Sequence, residues 1–258
     1  MGRIILCYDK EKQAFYKISM IPTKRSKWPP KQRFRCIMCT FGGIIECRRC
    51  GNNAYLQQES PAIPKLHSSW ITENIIAMQR PSDKLFADGL INEFLNNNIK
   101  AVFNLTEPGE HPYCGNLLTN RTKFATVVPI TTYNLMSSGF PYDPEKLMMH
   151  GIKHFNFNWP DMAVPSMTMI TDIVQVAINE LNSGNKIAIH CHAGYGRTGI
   201  AIACILIKLQ GISSDDVIRM IRTRRPGSIQ TKQQVKFVHE FEAQISQCPK
   251  LKSPQDSE

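Results

Sequence analysis

Long apolar runs are missing from this chain of 258 residues. The longest, Ile200–Ile207, falls far short of the ~20 residues that a membrane-spanning helix needs. At the start only Ile4–Cys7 is apolar, too short for a secretory leader, and Leu6 stands where myristoylation wants Ser or Thr. No internal repeat is visible. Nine cysteines in a chain of this length and ordinary composition do not make a small secreted disulfide scaffold. These absences predict a soluble, intracellular, cytoplasmic protein with reduced thiols and one sizeable core.

Acidic residues are also scarce, 21 against 31 Lys and Arg, for a net charge of +10. The imbalance is local. Residues 1–35 hold ten Lys/Arg and only Asp9 and Glu11, a balance of +8, which leaves +2 for residues 36–258. The excess therefore belongs to an N-terminal arm, over 1–65, that reads as a solvated extension or a contact for an acidic partner. "KRSKWPPKQRFR" and "ESPAIPK" give that arm prolines and little periodicity. A folded domain is expected over 66–247, with a polar tail at 248–258.

Within 66–247 the pattern is regular. "SWITENIIAM" predicts a first strand, and Ser82 caps a helix through Asn98. "KAVFNL" reads as a buried strand, "KFATVVPI" as another, and "KHFNFNW" alternates Phe155, Phe157 and Trp159 against His154, Asn156 and Asn158. A helix comes next, from Ser166 to a glycine stop at Gly184. "KIAIH" is a short buried strand, with helices after it from about Thr198 to Leu209, from Ser213 or Ser214 to before Pro226, and from about Gln230 to Gln247. Strands alternating with helices predict an α/β fold: a central, mostly parallel sheet flanked by helices.

The chemistry concentrates in "HCHAGYGRTG". His190, Cys191 and His192 are three metal-ligand types in a row, yet neighbours at a strand end point to opposite sides and cannot converge on one ion. A strand, a glycine-bearing loop and a helix start instead make a nest of backbone N–H groups facing a positive helix end, a holder for an anion. The substrate-binding set is then His192, Ala193, Gly194, Tyr195, Gly196 and Arg197. Cys191 lies at the head of the nest, where positive potential favours thiolate over thiol. Arg197, at the far rim, offers a planar fork for two phosphate oxygens. Thr198 is expected to donate its hydroxyl to the sulfur, His190 to orient the loop from behind, and Gly194, Gly196 and Gly199 to let the backbone approach the ligand. An inert buried cysteine is the bland alternative, and six residue types at fixed offsets argue against it.

This loop resembles the HC-x5-R-[ST] signature of the cysteine-dependent protein tyrosine phosphatases. The resemblance implies a general acid on an upstream loop, and Trp159, Pro160 and Asp161 match its WPD tripeptide, with Pro165 after them. Gln230, Thr231 and Gln234 match the family's Q-T-x-x-Q loop, implying that Gln230 positions water with support from Gln234. "SSWITENIIAMQRPS", "NLTEPGEHPYCGN" and "RRPGSIQT" look like the protein tyrosine phosphatase domain-containing protein 1 group, relatives of dual-specificity phosphatases. The likeness implies a dual-specificity type of fold and catalysis by Cys191, Arg197 and Asp161 without a metal or cofactor. It also implies a phosphorylated protein as substrate and a link to cilium or centrosome.

His192 and Tyr195 occupy loop positions where phosphatases of highly phosphorylated inositol lipids place lysines, so a singly phosphorylated side chain is the expected substrate. Phosphoinositide, RNA 5′-phosphate and a non-catalytic phospho-binding scaffold are the alternatives. Outside the loop, Cys36-x2-Cys39 and Cys47-x2-Cys50 have the spacing of a structural zinc knuckle or are free thiols. Cys204 is expected in the core.

Overall fold

The structure is a computed structural model, and it describes residues 5–9, 14–18, 60–110 and 142–247. The chain divides into two compact units, Met1–Arg35 and Cys36–Glu258. The first holds an antiparallel pair, β1 (Ile5–Asp9) and β2 (Ala14–Ile18), in the register Cys7↔Tyr16. Three features expected from the sequence fall outside the described residues: the strand at 123–130, the polar tail, and the cluster Cys36, Cys39, Cys47 and Cys50.

The second unit is built on a five-stranded sheet in the order β3-β4-β7-β5-β6. Its strands are β3 (Ser68–Trp70), β4 (Ile75–Met78), β5 (Ile99–Asn104), β6 (Lys153–Asn156) and β7 (Lys186–His190). Only β3 runs antiparallel, at one edge. The expected α/β sandwich, mostly parallel, is what forms. The single strand expected over 69–78 is instead the hairpin β3–β4. Ile71 N–H bonds Ile75 O (2.9 Å) and Thr72 Oγ1 accepts from Ile75 N–H (3.1 Å), so the chain turns where an alternating pattern suggested continuation.

Ser82 does cap a helix, accepting from Leu85 N–H at 3.3 Å, but the expected single helix is two: α1 (Asp83–Ala87) and α2 (Leu90–Asn96). Gly89 separates them with φ of 95°, a left-handed angle that glycine takes at little cost. After the short α3 (Glu145–Met148) come the long helices α4 (Met167–Asn182), α5 (Gly196–Gln210), α6 (Ser214–Arg224) and α7 (Lys232–Gln247). Ser166 and Ser213 cap α4 and α6 through the N–H groups of Met169 and Asp216. Helix α5 opens two residues earlier than expected, which matters for the site.

Strand alternation divides the core into two layers. Ile187 and Ile189 of β7, with Ala101 and Phe103 of β5, face α4–α7. Ala188, Val102 and Met78 face α1, α2, Tyr142 and Leu147. Cys204 lies in the first layer, fully buried, and burial pushes its thiol well above the ordinary value. No helix among the described residues is long and apolar enough to cross a membrane.

Candidate active site

In a parallel sheet the carboxyl ends of the strands share one edge, where open α/β proteins hold ligands. The central strand β7 ends there at His190, and residues 191–195 curl into α5. Cys191 is buried, and its sulfur accepts a hydrogen bond from Gly194 N–H at 3.3 Å. That bond takes the place expected for Thr198. With α5 beginning at Gly196, Thr198 sits inside the first helical turn, and its buried hydroxyl has no hydrogen-bond partner.

The loop's glycines are also required by close neighbours within the chain. A Cβ on Gly194, whose φ is 73°, would meet Met78 O at 2.1 Å. One on Gly196 would meet Gln230 Oε1 at 2.8 Å and Gln234 Nε2 at 2.9 Å, and one on Gly199 would meet Ile229 Cγ1 at 2.8 Å. Each lets another part of the chain pack closer than a side chain would allow.

The sequence places Arg197 at the rim, but its side chain is wholly buried. Its Nη1 donates to Leu105 O (3.0 Å), Trp159 O (2.9 Å) and Glu110 Oε2 (2.7 Å). Its Nη2 donates to Glu110 Oε1 and lies 3.1 Å from Asp161 Oδ1. Burial works against the charge, but the Glu110 hydrogen bond and the charges of Cys191, Glu110 and Asp161 outweigh it, raising the guanidinium above its ordinary value. Nε is the one side-chain donor of Arg197 without a partner.

Asp161 follows β6 on a loop anchored by buried Trp159, whose Nε1 donates to Ala163 O at 3.4 Å. Met162, next in the chain, has φ of 63° and is exposed, and its N–H bonds Asp161 Oδ1 at 3.0 Å. On the other side, Ile229 takes φ of 53°, unusual for a β-branched residue. Ile229 N–H bonds Tyr195 O at 3.2 Å, and Arg222 Nη2 holds Ile229 O at 2.7 Å. This brings Gln230 beside Gly196. Buried Gln234 accepts from Gln230 N–H at 2.7 Å through Oε1, and its Nε2 has no partner. Asp161 thus meets Arg197, and Gln230 and Gln234 meet Gly196, at the sheet edge where Cys191 follows β7.

Three groups escaped the sequence reading. Glu110 is one, since nothing in "TEPGEH" marks a carboxylate for an arginine 87 positions on. Arg225 is another: buried beneath the loop, it donates to Gly194 O (2.6 Å), Ala193 O (2.9 Å) and Ser69 Oγ (3.1 Å). Its guanidinium also covers the Tyr195 ring at 4.6 Å, while the Tyr195 hydroxyl meets His67 Nε2 at 2.6 Å. Burial and the Arg225 charge push His67 down to about 3, so the imidazole is neutral. The third is Tyr142, whose hydroxyl lies 2.7 Å from His190 Nε2. His190 Nδ1 in turn reaches Cys191 O at 3.2 Å, a direct contact with the backbone of the loop.

Comparison with known proteins agrees with this geometry. Residues 52–244, about three quarters of the chain, match the protein-tyrosine phosphatase family. The chain belongs to that family. It is 42% identical over 191 residues to protein tyrosine phosphatase domain-containing protein 1 of Mus musculus, covering 74% of this chain and 23% of that one. The same protein of Danio rerio is 40% identical over 209 residues, covering 77% and 27%. The chain therefore spans about a quarter of the length of these curated relatives. Among solved structures, kinase-associated phosphatase shares the fold (TM-score 0.54, 21% identity, 74% of this chain and 99% of that one). So does PTPMT1, solved in complex with PI(5)P (TM-score 0.53, 18% identity, 69% and 96%). Phosphatases of this family act without a metal, in keeping with a site that needs no cofactor for catalysis.

Proposed function

We propose that this chain is a cysteine-based protein phosphatase that hydrolyses phosphotyrosine, and phosphoserine or phosphothreonine as well, through a cysteinyl-phosphate. The observation that carries this reading is the convergence on one sheet edge of the Cys191 loop, Arg197 gripped in the buried interior, and Asp161 at 3.1 Å from the guanidinium.

The substrate phosphate lies in the nest of loop N–H groups from 192 to 197, and Arg197 Nε is the donor left to it after Glu110 has engaged the fork. The Cys191 thiolate forms an S–P bond as the ester P–O bond breaks, and Asp161 gives its proton to the leaving oxygen. Water placed by Gln230 then attacks phosphorus and yields a proton to Asp161. The S–P bond breaks, thiolate returns and inorganic phosphate leaves. Gln234 serves this step by fixing the Gln230 backbone, and His190 by holding the Cys191 carbonyl.

The loop supports a singly phosphorylated protein side chain over a polyphosphorylated inositol lipid, because His192 and Tyr195 stand where further cations would be wanted and Tyr195 is already engaged by His67. In the same reading residues 66–247 are the catalytic unit, and the basic arm over 1–65 meets an acidic partner inside the cell. Its charge balance is the support for that.

The test is hydrolysis of an aryl phosphate in EDTA, blocked by vanadate. Turnover retained in Cys191→Ser would sink the mechanism. Asp161→Asn should lower kcat by about 100-fold or more. The loss should be larger for an alkyl ester than for p-nitrophenyl phosphate, whose leaving group hardly needs the proton.

A further inference from the structure

Tyr142 is almost fully buried, packed edge-on against Phe86 at 5.4 Å between ring centres, and its hydroxyl has two imidazole neighbours. One is His190 Nε2 at 2.7 Å and the other is His154 Nε2 at 2.9 Å. His154 comes from β6 and His190 from β7, with β5 between them. The register aligns His154 with Val102 and Val102 with Ala188, so His154 is on the same sheet face as Ala188 and His190, the face that Tyr142 covers.

The direction of every hydrogen bond in this chain of groups is fixed by counting protons. A carbonyl only accepts, so the contact of His190 Nδ1 with Cys191 O puts a proton on Nδ1. Burial keeps His190 neutral, pushing it down to about 3, with the nearby His154, Arg80 and Arg197 charges adding to the effect and the Cys191 bond opposing it. A neutral ring with its proton on Nδ1 has a bare Nε2, so Tyr142 must donate its only proton there. The hydroxyl oxygen then has only lone pairs for His154, and His154 Nε2 must carry a proton. The sequence is His154 Nε2–H to Tyr142 O–H to His190 Nε2, and His190 Nδ1–H to Cys191 O.

We propose that His154 is a positioning residue for the nucleophile loop, acting on Cys191 through the Tyr142 hydroxyl and the His190 ring. Donors in a row strengthen one another. A hydroxyl that accepts from His154 is a better donor to His190, and His190 is then a better donor to the Cys191 carbonyl. Polarising that peptide makes the next N–H, that of His192, a stronger donor toward anion in the nest. Half-buried His154 is thus the outer end of a relay whose inner end is the loop. Protonating His154, which burial pushes down to about 4, leaves its Nε2–H in place, so acid does not reverse the direction of the relay.

The inference rests on the reading of Cys191 as nucleophile, so two properties are measured together: aryl phosphate hydrolysis, and the rate of Cys191 alkylation by iodoacetate, read by mass spectrometry. In His154→Gln the amide nitrogen takes the place of Nε2 and still reaches Tyr142. In His154→Asn it takes the place of Nδ1 and does not. Alkylation and kcat should fall about threefold in His154→Asn and stay near wild type in His154→Gln. The Asn loss should vanish in a Tyr142→Phe background, where the relay is already cut. Unfolding midpoints accompany each variant, and His154→Phe replaces His154→Asn if the latter does not fold. Equal behaviour of the Gln and Asn variants, or a loss undiminished on Tyr142→Phe, would overturn the relay. A wild-type protein that shows the alkylation pattern but hydrolyses no phosphate would overturn the proposed function and leave the relay standing.

Discussion

Glu110 grips Arg197 with both carboxylate oxygens, one on each terminal nitrogen of the fork. The guanidinium can then turn only one way, with Nε left over. Glu110→Gln replaces one acceptor by an NH2 that faces another donor. It should cost about 3 kcal/mol of stability, the usual penalty for unpairing a buried charge. It should also lower kcat/KM about 100-fold, whereas Glu110→Asp should recover part of both. Steady-state kinetics alongside urea unfolding would check this, and a Gln variant within twofold of wild type would remove Glu110 from the site.

Arg225 acts on the same loop from behind. Three of its contacts, to Gly194 O, Ala193 O and Ser69 Oγ, need a planar fork, which a lysine ammonium cannot imitate. Arg225→Lys should therefore weaken vanadate inhibition at least about tenfold although the charge is kept. Inhibition unchanged from wild type would mean that the loop holds its shape alone.

Two glycines with similar backbone angles should respond very differently to alanine. Gly194 and Gly227 have φ of 73° and 91°, but a Cβ on Gly227 meets nothing within 4 Å while one on Gly194 meets Met78 O at 2.1 Å. Gly227→Ala should cost about 1 kcal/mol, the price of the angle alone. Gly194→Ala should cost more than about 4 kcal/mol or prevent folding. Comparable unfolding midpoints for the two variants would refute the close approach.

Acid should loosen the fold through its histidines. His67 and His190 are pushed down to about 3 and His154 to about 4, each chiefly by burial, from an ordinary 6.5. Below pH 6.5 the unfolded chain binds these protons and the folded one does not, so stability is full above that pH and is lost as the pH falls toward 4. The urea midpoint should decline over this range with a slope approaching about three protons, and His154→Gln should remove about one of them. A midpoint flat from pH 7 to 5 would contradict the burial of these rings.

What could be read from the sequence was what is local in it. The Cys191–Arg197 loop is contiguous, and the caps at Ser82, Ser166 and Ser213 are set by side chains that bond three residues ahead. Asp161 and Gln230 lie farther off but stand in short patterns of their own. The hairpin turn at 71–74 is hard to see because Thr72 and Asn74 interrupt an alternation that continues on both sides. The break at Gly89 is hidden in a good apolar stripe. Glu110, Arg225 and Tyr142 could not be read at all, because their partners are set by the sheet order: Tyr142 bonds His190 across 48 positions, and Arg225 bonds Ser69 across 156. Thr198 departs from its expected place for a smaller reason, a helix that starts two residues early.

The place of β7 in the sheet also governs how the site would be lost. It is the central strand, bonded to β4 on one side and β5 on the other, and Cys191 follows its last residue. Amides along β7 point alternately to β4 and to β5, so the strand as a whole comes free only when pairing fails on both sides, which puts it among the last to open. Asp161, by contrast, follows the edge strand β6 on an exposed loop. Heat should therefore take the order of Asp161 first and that of Cys191 only with the whole sheet, so, under the proposed function, alkylation of the cysteine should outlive full turnover as the protein warms.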